Sequence, residues 1–247
     1  MSDPLVINEI YLSLQGESTF AGLPCIFIRL TACNLRCSYC DTAYAFTEGK
    51  QMPVRETLAK VRELAAPFSN SQPSTLNSQL PLVELTGGEP LLQRDCLPLM
   101  KSLCDDGFTV LLETSGARDI SRVDPRVHRI MDLKCPSSGE VERNRWENLR
   151  HLRAGDEIKF VIGTEQDYDW TKQTIAEYKL NAICPLLISW VHPLLPEQQD
   201  QSLKKVPAGQ TPISRRELAE RIIADALPVR FQVQMHKIIW PPEQRGV

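Results

Sequence analysis

The sequence predicts an α/β fold, an open or partial barrel of six parallel β/α units, on three observations. Six short apolar runs of β character recur along the chain, helical patterns fall between them, and chemistry-bearing residues cluster just after the first two runs. Parallel β-α units join by right-handed crossovers, and six are too few for a closed eight-stranded barrel.

The elements follow in order. "PCIFIRL" (24–30) is the first strand, and "VRETLAKVRELA" (54–65) sets Val54, Leu58, Val61 and Ala65 at the i, i+4, i+7, i+11 spacing of one helical face. "LVELTG" (82–87), "FTVLLET" (108–114), "RIMDLK" (129–134), "EIKFVIG" (157–163) and "AICPLLISW" (182–190) are the other five strands. Helices are expected at 91–105, 142–152 and 167–179. In "SRRELAERIIADA" (214–226), Ser214 and Glu217 form a capping-box pattern ahead of inward Leu218, Ile222 and Ala226. The terminal "VRFQVQMHKIIW" (229–240) alternates like a half-buried strand. A Ser/Pro/Asn-rich link at 67–81 and a Pro/Gln-rich loop at 192–213 read as surface insertions in a single domain, 1–247, the second long enough to act as a lid.

A formal charge of -3 argues against a nucleic-acid-binding face or a basic membrane anchor. The opening "MSDPLVINEIYLSLQGES" has polar and acidic residues where a signal core would lie, and no apolar run of about 18 residues is present. Eight cysteines then point to reduced thiols of a cytoplasmic protein, used for metal or catalysis before disulfides.

In "TACNLRCSYCDTAY" (31–44), Cys33, Cys37 and Cys40 are spaced C-x-x-x-C-x-x-C with no fourth cysteine or histidine nearby. Structural zinc takes four protein ligands and catalytic zinc favours histidine and carboxylate, whereas three thiolates on a four-iron cube leave one iron open. The alternative is a zinc site completed by Cys25 or Cys135; otherwise Cys25, Cys96, Cys104, Cys135 and Cys184 read as core or loop thiols. "LTGGEP" (85–90) ends the second strand, where glycines let backbone approach a ligand and Glu89 can accept from its amino group. Arg29, inside an otherwise apolar strand, needs an anion, either a ligand carboxylate or a structural partner.

The two motifs together resemble the radical S-adenosylmethionine (SAM) superfamily. "LQGES" (14–18), "IFIRLTACNLRCSYCDT" (26–42), "ETSG" (113–116), "DLKCPSSG" (132–139) and "QMHKIIW" (234–240) narrow the resemblance to the 7-carboxy-7-deazaguanine synthase family, across nearly the whole chain apart from the two insertions. The resemblance implies a partial (β/α)6 barrel of the radical SAM type and conversion of 6-carboxy-5,6,7,8-tetrahydropterin to 7-carboxy-7-deazaguanine with loss of ammonia. The cofactors it implies are a [4Fe-4S] cluster on Cys33, Cys37 and Cys40, SAM on the open iron, and Mg²⁺ at Thr42, whose other reading is a cap or turn residue.

By the same resemblance Tyr39, Asp41, Gly88, Glu89, Glu113, Lys134, Pro136 and Ser189 seat SAM. Leu14, Gln15, Gly16, Glu17, Arg29, Thr86, His236 and the terminal Val247 receive the pterin; Lys237 stands beside His236. Ser18 occupies a position where the family commonly has glycine. A homodimer and flavodoxin or ferredoxin as electron donor are also implied. Competing readings are a glycyl-radical enzyme activating enzyme, which has no use for "LQGES" or Cys-Asp-Thr, and a non-enzymatic Fe-S or zinc-binding electron-transfer module.

Overall fold

The computed structural model describes residues 4–68, 80–241 and 243–247; the link at 67–81 lies largely outside them. In chain order the described elements are β1 (Leu5–Leu14), β2 (Pro24–Leu30), β3 (Lys50–Met52), α1 (Val54–Ala65), β4 (Leu82–Gly87), α2 (Cys96–Asp105) and β5 (Val110–Thr114). They continue with β6 (His128–Asp132), β7 (Glu157–Ile162), α3 (Glu165–Tyr178), β8 (Leu186–Trp190), α4 (Arg215–Ala224), β9 (Arg230–Gln232) and α5 (His236–Ile239).

These strands make one sheet in the order β3-β1-β2-β4-β5-β6-β7-β8-β9, open rather than closed on itself. From β2 through β9 every neighbouring pair is parallel, so the six expected strands form an unbroken run and β9 adds a short seventh. β1 and β3 extend the other edge antiparallel. The partial-barrel expectation therefore holds, with an antiparallel pair appended that the strand count left out.

Period-two alternation gives the sheet two faces. Ile26, Ile28, Leu30, Val83, Leu85, Val110, Leu112, Ile158 and Phe160 pack outward under α1 to α4, against Val61, Leu99, Leu103, Ile175 and Leu218. Each such burial contributes about 1.5–3 kcal/mol, so this layer carries most of the fold. The intervening positions face into the barrel, where Cys25, Leu82, Leu111 and Ile130 form a smaller apolar cluster with Phe20, Leu23 and Phe27.

Some elements differ from expectation. The helix at 142–152 is replaced by two 3-10 turns, 141–143 and 146–151. Asn144 accepts from Lys134 N at 2.8 Å and Asn148 donates to Gly116 O and Arg118 O, side-chain bonds to backbone that compete with a helix. The terminal strand stops at Gln232, because Met235 N turns to bond Gly16 O at 3.1 Å and α5 follows. α4 has the expected box, with Ser214 and Glu217 capping each other's backbone, but ends before Ala226, which is exposed at φ +46°. α3 begins earlier than expected, behind a Thr164–Asp167 capping box.

Residues 192–213 form a loop with one 3-10 turn, 196–198. Lys204 ties it down, its N–H to Arg36 O at 2.9 Å and its ammonium to Gly139 O and Glu140. Among the described residues no helix is long and apolar enough to cross a membrane.

Candidate active site

The inner face of the barrel changes from apolar to charged along the strands. Two positions beyond the apolar cluster lie Phe27, Glu84, Glu113 and Asp132; Arg29 and Thr86 come next, beside Lys159 and Ser189. All of these line one cavity at the C-terminal ends of the parallel strands, the end at which β/α barrels place their chemistry.

The cysteine loop forms one wall of this cavity. Cys33, Cys37 and Cys40 all line it, whereas Cys25 sits in the apolar cluster and the buried Cys135 Sγ lies 3.6 Å from Thr171 Oγ1. Neither thiol offered as a fourth zinc ligand reaches the other three. The segment after β6 braces the loop from behind: Ser138 O accepts from Ser38 N at 3.0 Å, Ser137 O from Ser38 Oγ at 2.7 Å, and Glu140 from Arg36 N at 2.7 Å.

Gly87 and Gly88 hold the loop from the other side. A Cβ on Gly87 would stand 2.2 Å from Leu30 O, and one on Gly88 would stand 2.0 Å from Ala32 O. That closeness allows Gly88 N to bond Leu30 O at 3.1 Å and Glu89 N to bond Ala32 O at 2.9 Å. The glycines thus permit a close approach of backbone to the cysteine loop itself, and Gly88 also lines the cavity.

Burial pushes all three thiols up, Cys37 to about 12, with nearby Lys134 opposing. Thiolates here need a bound cation in place of the proton. The thiols sense one another electrostatically, yet among the described residues no three His, Cys, Asp or Glu side chains are grouped to hold a metal ion by themselves. Thiols spread along one wall fit a body with several irons, each taking its own ligand. The donor set therefore fits a three-thiolate cluster. Thr42 lines the same wall 3.7 Å from Cys40 Sγ; it precedes the 43–46 turn without a side-chain capping bond, so its hydroxyl is not spent as a cap.

Around this wall, Asp41 pairs with Lys237; burial raises the Asp41 carboxyl, but the ammonium outweighs it and the net shift is downward. Lys134 pairs with Asp132 at 2.7 Å. Tyr39, Glu113 and Ser189 line the cavity, but Glu89 and Pro136 do not. Glu89 is fully buried and accepts from Leu91 N, Thr114 Oγ1, Ser115 N and Ser115 Oγ, so its carboxylate braces the ends of β4 and β5 and is not open to a ligand amino group. Pro136 opens the 136–138 turn behind the cysteine loop.

The segment Leu14–Glu17 closes the opposite side. Gln15 is buried, donates to Glu84 and accepts from Glu17 N at 2.9 Å. Glu17 accepts from Ser189 Oγ at 2.6 Å. The Gly16–Met235 backbone bond and the Gln232 side chain, bonded to both N and O of Ser18, tie the exit of β1 to the exit of β9. Ser18 takes φ +68°, the left-handed region that favours glycine, and its Oγ accepts from Phe20 N at 3.0 Å.

Arg29 has a structural anion partner, one of its two expected readings. Its Nε pairs with Glu9 at 2.7 Å and Nη2 donates to Tyr11 at 3.0 Å, while Nη1 has no partner among the described residues and the side chain lines the cavity. Thr86 donates to Glu113 at 3.0 Å. His236 stands over Gly16, and burial lowers its pKa so that the ring stays neutral near pH 7. Val247 also lines the cavity.

Sequence reasoning missed Glu84, Asp132 and Lys159, which put three further ionisable groups inside the barrel. The signal was present: each is a charged residue within an apolar strand, the pattern that singled out Arg29.

A family model described as the Radical SAM superfamily matches residues 27–136, which contain the cysteine loop and the paired glycines. The 7-carboxy-7-deazaguanine synthase of Koribacter versatilis is 42% identical over 98% of this chain and 99% of its own. That of Chlorobaculum tepidum is also 42% identical, over 99% of this chain and 98% of its own. Among solved structures, QueE from Escherichia coli superposes with a TM-score of 0.65 over 94% of this chain and 95% of that one, at 23% identity, a likeness of fold.

Proposed function

The chain belongs to the 7-carboxy-7-deazaguanine synthase family of radical SAM enzymes, and from that premise we propose how its own residues perform the reaction. It is a radical SAM lyase that converts 6-carboxy-5,6,7,8-tetrahydropterin to 7-carboxy-7-deazaguanine with loss of ammonia, in 7-deazapurine biosynthesis. Its cofactors are a [4Fe-4S] cluster, SAM and Mg²⁺. When bound, the cluster and SAM together supply the 5′-deoxyadenosyl radical that takes the C6 hydrogen of the pterin.

The observation that carries the residue assignment is that the three thiols and the Leu14–Glu17 segment line one cavity. Cys33, Cys37 and Cys40 hold the cluster. Tyr39, Asp41, Gly88, Glu113, Lys134 and Ser189 surround SAM, while Glu89 and Pro136 support that wall from behind. Gln15, Gly16, Glu17, Arg29, Thr86 and His236 receive the pterin; the unpartnered Nη1 of Arg29 suits the substrate carboxylate, and Thr42 would hold Mg²⁺, which would supply charge stabilisation for that carboxylate. The chain holds the pterin C6 against the nucleoside C5′ and excludes water from the space between them. The 192–213 loop, pinned by Lys204, is a covering insertion over the cysteine loop. A homodimer and a flavodoxin or ferredoxin donor complete the proposal.

The test is an anaerobic reaction of cluster-reconstituted protein with SAM, Mg²⁺, a low-potential reductant and 6-carboxytetrahydropterin, followed by mass spectrometry. The expected result is 7-carboxy-7-deazaguanine without matching 5′-deoxyadenosine. Accumulation of 5′-deoxyadenosine with no deazaguanine would reject the substrate while leaving the radical chemistry in place.

A further inference from the structure

Lys159 is the one cation among the three cavity residues that sequence reasoning missed. It projects from β7 into the barrel, is 5% exposed, and lines the cavity. Its ammonium pairs with Glu113 at the end of β5 and, at 3.5 Å, with Oε2 of Glu17 in the segment after β1. Each carboxylate is also held by a hydroxyl: Glu113 by Thr86 Oγ1 at 3.0 Å, and Glu17 by Ser189 Oγ at 2.6 Å. One ammonium therefore joins the pterin side of the cavity to the nucleoside side.

The surrounding charges make that ammonium decisive. Glu17, Glu84 on β4, Glu113 and Asp132 on β6 all face the same interior; Lys134 is nearby but pairs with Asp132. Several carboxylates in a buried space cannot all ionise without a cation among them. Burial raises the Glu113 carboxyl, yet Lys159 outweighs it and the net shift is downward. Glu84, whose side chain receives a hydrogen bond from Gln15 but has no ion pair among the described residues, is pushed up by burial and by Glu113, with Lys159 opposing.

We infer that Lys159 is a positioning residue for ligand recognition: it holds the side chains of Glu113 and Glu17 in place as acceptors for N–H and O–H donors. Such donors are the amino-pyrimidine edge of a pterin and the hydroxyls of a ribose. The inference rests on the function proposed above and adds to it the means by which the cavity selects donor-rich ligands. Without the ammonium, Glu113 loses the charge that holds its carboxyl low, takes a proton more readily, and an acceptor becomes a donor facing another donor.

The test measures the affinity of 6-carboxypterin, a redox-stable fluorescent probe, for anaerobic cluster-reconstituted protein with SAM, between pH 6 and 8. Wild type, Lys159→Met, Lys159→Arg, Glu113→Gln and the Glu113→Gln/Lys159→Met double variant are compared. Lys159→Met should weaken binding about 10- to 100-fold at neutral pH, as expected when a buried charged partner is lost. The deficit relative to wild type should shrink as pH rises and the carboxylate is recovered. Lys159→Arg should restore most of the affinity. Adding Lys159→Met to Glu113→Gln should cost less affinity than Lys159→Met costs the wild type, because part of the action of Lys159 runs through Glu113.

A deficit independent of pH and additive with that of Glu113→Gln would make Lys159 merely structural and overturn the inference. So would unchanged binding by Lys159→Met. If Lys159→Met loses iron or unfolds, Lys159→Arg and the double variant, which carries no unpaired charge at this position pair, decide the question alone. A wild-type protein that does not bind 6-carboxypterin would overturn the pterin reading, and the inference with it.

Discussion

Replacing Gly88 with alanine is the sharpest test of how the cysteine loop is built. The added Cβ would stand 2.0 Å from Ala32 O, 2.5 Å from Ala32 C and 2.9 Å from Cys33 N, all of them backbone atoms with no flexible end to yield. The loop must retreat until the closest contact opens from 2.0 Å to the 3.4 Å at which packing becomes ordinary. That retreat breaks the Glu89 N–Ala32 O and Gly88 N–Leu30 O bonds, 2.9 and 3.1 Å long. Two buried backbone bonds lost cost about 2–6 kcal/mol together, a large part of the stability of a domain. Cys33 is displaced with the loop, well beyond the roughly 0.5 Å within which a functional site must be held. The assay is urea unfolding of the cluster-free protein, with iron and sulfide per chain after anaerobic reconstitution. Gly107→Ala is the control: its Cβ meets nothing within 4 Å, so only its φ of +89° is penalised, by about 1–2 kcal/mol, and iron loading should be normal. A Gly88→Ala protein with wild-type unfolding midpoint and full iron content would refute the reasoning.

The remaining predictions follow from the same geometry. Alanine at Cys33, Cys37 or Cys40 should each abolish the cluster's visible absorption after reconstitution, while Cys135→Ala and Cys25→Ala should retain it, since neither lines the cavity. Glu84 gives a pH signature in stability: its folded pKa is raised, so above the ordinary carboxylate value the unfolded chain releases a proton that the folded chain keeps. Stability attributable to this group therefore falls as pH rises from about 4.5, by up to about 1.4 kcal/mol per pH unit, until the folded group also ionises. Glu84→Gln, which still accepts from Gln15, should flatten that decline; urea midpoints from pH 5 to 8 that run parallel to wild type would contradict it.

The sequence by itself determined the parallel strands, the cysteine wall and most of the cavity lining, because each is written in short-range terms. Short apolar runs of β character mark β2, β4, β5, β6, β7 and β8, and the spacing of Cys33, Cys37 and Cys40 is carried by one loop. Ser214 and Glu217 announce α4 within four residues. Tertiary structure decided whatever depends on partners far along the chain. β1 became a strand by pairing with β2 and β3, although its own residues, LVINEIYLSL, mix polar and apolar positions without strict alternation. The 142–152 pattern lost its helix to side-chain bonds made by Asn144 and Asn148 to distant backbone. Glu89 was drawn inward by Thr114 and Ser115, and the paired glycines serve contact with Ala32 as well as the cavity. Lys159 reaches Glu17 across 142 positions, and Gln15 reaches Glu84 across 69. A buried charge takes its role from the charges that folding sets beside it, and only the folded arrangement of strands brings those together.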